Sequence, residues 1–186
     1  ESSAEVKRQS IQACTQSLED AVELLVTAFG SGNKFLLSGN GGSAADCQHM
    51  ATELVARLSH EFERPSLSTI ALTTNSSFIT AYSNDDHFDG IFERQIQGHG
   101  RPGDILLAIS TSGNSANILR GVQAAKAAGM KSIGLTGEGG GKLKGLVDVL
   151  IAVPHTNTQF IQEAHLAFEH LLCDLVEQRL YGVLKD

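Results

Sequence analysis

Short apolar runs that end in glycine- or serine-rich loops, each loop opening into a helical pattern, recur along this 186-residue chain. Lys34–Ser38 leads into Gly39-Asn40-Gly41-Gly42-Ser43, and Asp104–Ile109 leads into Ser110-Thr111-Ser112-Gly113-Asn114-Ser115. A strand apolar along its length is buried on both faces, as in a parallel sheet, and parallel neighbours need a crossover, usually a helix. The pattern predicts strands at Lys34–Ser38, Leu67–Leu72, Asp104–Ile109, Lys131–Leu135 and Val147–Val153. Between them it predicts helices at Ala44–Leu58, Ser76–Ser83 and Ala116–Ala128, the last stopped by Gly129. Strands alternating with helices imply a parallel α/β sheet with right-handed crossovers.

Two further helices flank this unit. Ile11, Leu18, Ala21, Val22, Leu25, Val26 and Phe29 recur at helical spacing over Ala4–Phe29, and Gly30-Ser31-Gly32-Asn33 is the stop. A last amphipathic helix spans Gln159–Leu180. Such flanking helices pack together or onto another subunit. With no linker or low-complexity segment, residues 1–186 read as one domain, with an N-terminal helical segment over 1–30 and a C-terminal helix over 159–180.

Composition narrows the class. At 41% hydrophobic and 19% charged residues, the chain is not disordered, collagenous or stapled by disulfides. No apolar run approaches the roughly 20 residues that cross a bilayer. A net charge of -7 repels a nucleic-acid backbone at long range. A phosphorylated small molecule remains compatible, because helix ends and loop amides act locally. The three cysteines, Cys14, Cys47 and Cys173, are widely spaced and odd in number, as reduced cytoplasmic thiols are. The first residues lack a basic stretch followed by an apolar one, so no signal peptide is expected there and the expected location is cytoplasmic.

In an open parallel sheet, ligands sit at the carboxyl ends of the strands. The two loops share that address. Glycines in Gly39–Ser43 let backbone N–H groups approach an anion, and Ser110–Ser115 adds four hydroxyls before a helix N-terminus. Serine capping alone would account for one such loop. Four hydroxyls exceed what one cap requires, and neither loop is a nucleotide signature. A sugar phosphate fits better.

Candidate proton-transfer and metal groups follow. His49 and Glu53 stand four apart on one helix face, where they can share a metal or act as base and acid. The last helix carries Gln162, Glu163, His165, Glu169 and His170, among which spacing does not choose. Asn84-Asp85 lies near another carboxyl-end loop and favours a turn. Gly137–Gly141 with Lys142 reads as a flexible turn capped by a solvated lysine. Cys47 reads as a packing residue, and His60, His87, His99 and His155 as surface residues.

Gly39-Asn40-Gly41-Gly42-Ser43, Ser110-Thr111-Ser112-Gly113-Asn114-Ser115-Ala116-Asn117 and Ile161-Gln162-Glu163-Ala164-His165 together resemble the phosphoheptose isomerases, which carry a sugar isomerase (SIS) domain. Arg64-Pro65, Asn84-Asp85, Gly103-Asp104 and Leu135-Thr136-Gly137 extend the likeness in order along nearly the whole chain. The resemblance implies a doubly wound, flavodoxin-like five-stranded sheet and a homotetramer with active sites between subunits. It implies conversion of sedoheptulose 7-phosphate to D-glycero-D-manno-heptose 7-phosphate through an enediol(ate), the first step towards the activated heptose of lipopolysaccharide or another glycoconjugate. Carried over by position, Asn40, Gly41, Gly42, Ser43, Asn84, Asp85 and Gln162 contact substrate, and Ser110, Thr111, Ser112 and Ser115 hold its phosphate. Glu53, also against the substrate, is the base and His170 its acid/base partner. His49, Glu53, Gln162 and His170 match positions that bind zinc in some members, one ion per subunit.

The chain departs from the pattern at Asp86-His87, where a small or aromatic pair is expected, and this bears on substrate preference. A related regulator that binds the bacterial replication initiator is the non-catalytic alternative. It lacks a carboxylate at the position of Glu53 and has arginine where this chain has Ser112. Isomerisation of another sugar phosphate is the third reading, since the fold serves many.

Overall fold

The computed structural model describes residues 2–59 and 63–182. Five parallel strands, β1 (Phe35–Ser38), β2 (Thr69–Ala71), β3 (Ile105–Ile109), β4 (Lys131–Thr136) and β5 (Val149–Ala152), lie in the order β2-β1-β3-β4-β5. Every residue of β1 and β3 is buried, as strands covered on both faces must be. Helices are α1 (Ser3–Gly30), α2 (Gly42–Val55), α3 (Ser76–Asp85), α4 (Ile91–His99), α5 (Ala116–Ala127) and α6 (Thr158–Tyr181).

Alternation along the strands divides the core. Phe35 and Leu37 of β1 and Ile105, Leu107 and Ile109 of β3 face α1, α2 and α6. Leu36, Leu106 and Ala108 point the other way, to Phe92 and Ile96 of α4 and Ile118 and Val122 of α5. The sheet is thus doubly wound. Its order reverses at β1/β3, and there the chains leaving the two strands diverge to opposite faces and open a crevice.

β2 and β5 are shorter than the expected Leu67–Leu72 and Val147–Val153, and three further departures have a physical cause. α2 stops at Val55, short of Leu58, because Leu67 N–H takes the Leu54 carbonyl at 3.1 Å and pulls the chain towards β2. α4 was not expected: its apolar stripe is only Ile91, Phe92 and Ile96 in nine residues, too short for periodicity to register. Gly137–Gly141 is a braced turn rather than a flexible one. Gly137 N–H donates to Thr111 O at 2.9 Å, Lys142 N–H to Asn114 Oδ1 at 3.1 Å and Leu143 N–H to Gly113 O at 3.0 Å, while Lys142 itself is exposed. Among the described residues, no helix is long and apolar enough to cross a membrane.

Candidate active site

The loops after β1 and β3 meet at the reversal of strand order. Asn40–Ser43, Ser110, Thr111 and Ser115 line a cleft of about 300 Å³, joined by Thr158 and Gln162 of α6. The N-terminal ends of α2, α5 and α6 therefore point at one space, and their dipoles favour an anion there. Ser115 is the N-cap residue of α5 but its hydroxyl does not cap; it lies 3.0 Å from Ser110 Oγ, which is 3.5 Å from Ser112 Oγ. Gly41 precedes α2 and likewise offers no side-chain cap, while in α5 the Ile118 N–H donates to Asn117 Oδ1 at 3.0 Å.

Two glycines are required by close approach. A Cβ on Gly42 would stand 2.6 Å from Gln162 Nε2, so glycine lets α6 bring its amide against the first loop. Gly113 has φ +65°, and a Cβ there would lie 2.1 Å from the Gly140 carbonyl oxygen. The serine loop is thus pressed against the Gly137–Gly141 turn.

The sequence reading missed Asn117. Its side chain is buried, donates to Asn40 Oδ1 at 2.8 Å and accepts from Asn40 Nδ2 at 2.9 Å. This reciprocal amide pair ties the first loop to the first turn of α5. The only signal was an amide placed just after the serine loop, and no local pattern says that its partner lies 77 residues away. Thr158, which opens α6, was also missed.

Behind the cleft, α2 packs on α6. His49 Nε2 lies 3.0 Å from Glu53 Oε1 and 3.1 Å from His170 Nε2, and His170 Nε2 lies 3.2 Å from the same carboxylate oxygen. Among the described residues this is the one group of His, Cys, Asp or Glu side chains with metal-binding proximity. Glu53 is buried, with Oε2 lacking a hydrogen-bond partner, while both imidazoles are about half exposed. Two nitrogens and a carboxylate oxygen form a zinc-type donor set, and neighbouring ligands around a tetrahedral zinc stand about 3.3 Å apart. The three residues fit such an ion.

Gln162 stands eight residues before His170 on α6, with its amide against Gly42 at the cleft. Asn84 and Asp85 do not line the cleft; they are exposed at the end of α3, with Asn84 donating to Asp85.

Surrounding groups are kept uncharged. Glu169 is fully buried with both carboxylate oxygens unpartnered, and burial, helped by the charges of Asp46 and Glu53, pushes its pKa up to about 9. Burial likewise raises the Cys47 and Cys173 thiols, which pack as neutral groups. His165 is fully buried and bonds through Nε2 to the Thr136 carbonyl at 3.0 Å; burial pushes its pKa down to about 4. His87 and His99 are exposed, whereas His155 is half-buried and accepts the Asn157 N–H at 2.9 Å before α6 begins. His60 lies outside the described residues.

A model of the SIS domain matches residues 1–137. A phosphoheptose isomerase of Rhodospirillum rubrum is 50% identical over 167 residues, covering 90% of this chain and 88% of that one. Among solved structures, a phosphoheptose isomerase from Neisseria gonorrhoeae superposes with a TM-score of 0.89 at 40% identity, over 95% of this chain and 93% of that one. Another, from Francisella tularensis, gives 0.90 at 38% identity, again over 95% and 93%.

Proposed function

The chain belongs to the SIS-domain family, among the phosphoheptose isomerases, and from that premise we propose that it interconverts sedoheptulose 7-phosphate and D-glycero-D-manno-heptose 7-phosphate. The observation that carries the reading is that a buried carboxylate oxygen, Glu53 Oε1, lies 3.2 Å from His170 Nε2 on the helix seam whose N-terminal ends open to a serine-lined cleft.

The phosphate is received by Ser110, Thr111, Ser112 and Ser115 and by the first amides of α2 and α5. Asn40, Gly41, Gly42, Ser43 and Gln162 hold the sugar hydroxyls, and Asn84 and Asp85, outside this cleft, reach substrate from a neighbouring subunit. Glu53 takes a proton from C1 of the ketose, the C1–C2 enediolate forms, and Glu53 returns the proton to C2. His170 gives a proton to O2 and receives the one leaving O1, so that the aldehyde forms at C1. Such proton transfers contribute roughly 10²–10⁴-fold each. His49, Glu53 and His170, with Gln162 as the fourth position, would hold one zinc ion per subunit, which would supply a positive charge to polarise the carbonyl. A carboxylate bound to zinc is a weaker base than a free one, so metal and base roles compete at Glu53. We further propose a cytoplasmic homotetramer with sites shared between subunits, supplying heptose for lipopolysaccharide or another glycoconjugate.

Turnover of sedoheptulose 7-phosphate as prepared, after chelation and with zinc restored tests the reading, with Glu53→Gln alongside. The aldose product is expected, with Glu53→Gln at least 100-fold slower and still able to bind. Folded protein that makes no product in any arm overturns the isomerase reading, and a Glu53→Gln enzyme of near-parental rate removes the base.

A further inference from the structure

The seam between α2 and α6 is joined at two levels. One is the His49, Glu53 and His170 group. The other lies further along, where Arg64, in the stretch before β2, meets Glu177 of α6. Arg64 Nε donates to Glu177 Oε1 at 2.7 Å and Nη2 lies 2.5 Å from the same oxygen, with the side chains only 1% and 3% exposed. Glu177 follows His170 by seven residues, about 20° around an ideal helix, so both stand on one stripe.

The same guanidinium closes the end of α2. Its Nη2 donates to the Glu53 carbonyl at 2.7 Å, and Nη1 donates to the Leu54 carbonyl at 2.7 Å and to Pro65 O at 3.0 Å. The last turn of α2 contains no basic residue, so the cation that complements its dipole and orphan carbonyls comes from outside the helix. The residue proposed as base is therefore held through its own backbone oxygen by a charge anchored on α6.

A buried ion pair gains little over apolar residues of the same shape, because desolvation offsets the attraction. What this pair does is fix a position. We propose that Arg64 and Glu177 are positioning residues for the isomerase centre, keeping the end of α2, and with it Glu53, in register with His170. The proposal rests on the isomerase reading of Glu53 and His170.

Glu177→Gln and Arg64→Lys test it, beside Asp104→Asn. Asp104 is 2% exposed and accepts from Lys34 Nζ at 2.6 Å at the N-terminal edge of β1 and β3, away from the cleft. Misplacement of about 1 Å costs on the order of 100-fold in rate. A kcat at least tenfold lower with KM within twofold is expected for Glu177→Gln. The same direction is expected for Arg64→Lys, since an ammonium cannot reproduce the guanidinium's fork. Asp104→Asn should lose melting temperature but keep kcat. Parental kcat in the clamp variants, or an equal loss in Asp104→Asn, overturns the proposal. Arg64→Lys keeps the buried charge and carries the test where Glu177→Gln fails to fold. The ¹⁵N imidazole shifts of His49 and His170, recorded without substrate, should move in the clamp variants and not in Asp104→Asn. If the parent turns over no substrate, the isomerase reading has failed, and unmoved imidazole shifts then reject the clamp on their own.

Discussion

Acid should destabilise this protein through His165, a residue on neither side of the proposed proton transfer. Its ring is fully buried on α6, and because a carbonyl only accepts, Nε2 carries the hydrogen that meets Thr136 O at 3.0 Å. Nδ1 has no partner, so a second proton would be buried without an acceptor. The folded chain holds the ring neutral down to about pH 4, whereas the unfolded chain protonates it from about 6.5. The unfolded state therefore binds more protons in that window, and stability falls as pH drops from about 6.5 towards 4. The gap is worth about 3 kcal/mol in full, of which about 2 kcal/mol is already lost at pH 5. His165→Gln keeps an N–H within reach of Thr136 O and does not titrate. Urea unfolding of both proteins at pH 7 and pH 5 cancels every other titration, and the variant should gain about 2 kcal/mol on the parent between the two. For a chain of this size that is about 4–8 °C in melting temperature. Curves that stay parallel from pH 7 to pH 5 would refute the burial argument.

Gly113→Ala should lower stability by at least about 1–2 kcal/mol, from its left-handed backbone alone, and raise KM for the phosphorylated sugar more than it lowers kcat. Calorimetry and initial rates check this; a parental KM would mean that the serine loop does not hold the phosphate. Asn117→Ala should cost about 1–3 kcal/mol by removing both partners of the Asn40 amide, and should weaken substrate binding. An unchanged melting temperature would show that water replaces the pair at no cost.

What was legible in the sequence follows from how local its cause is. β1 and β3 are buried along their whole length, so a short apolar run bounded by polar turns was enough to find them. The same holds for α1 and α6, whose stripes run for 28 and 24 residues. The two loops were legible because glycine and serine clusters after a strand have few other uses. What was illegible depends on partners distant in sequence. The end of α2 is decided by Arg64 and Leu67, and Asn117 by Asn40. Within the last helix, the residues alone left five polar groups open, and packing separates them. His170 meets Glu53, Gln162 lines the cleft, His165 and Glu169 are buried, and Glu163 is exposed with Lys7 3.4 Å away.

The arrangement also assigns the two halves of the proposed reaction to different layers of the fold. Anion binding belongs to loops at the sheet's reversal point, where backbone amides and serine hydroxyls are placed by β1 and β3 and braced by the turn after β4. Proton transfer belongs to a helix–helix seam whose register is set by α2 and α6 and closed by Arg64 and Glu177. Gly42 and Ser43 at the start of α2 and Thr158 and Gln162 at the start of α6 belong to both. Perturbing the loops should then change chiefly how well substrate is held, and perturbing the seam chiefly how fast it reacts. These helix starts are where the two effects cannot be separated.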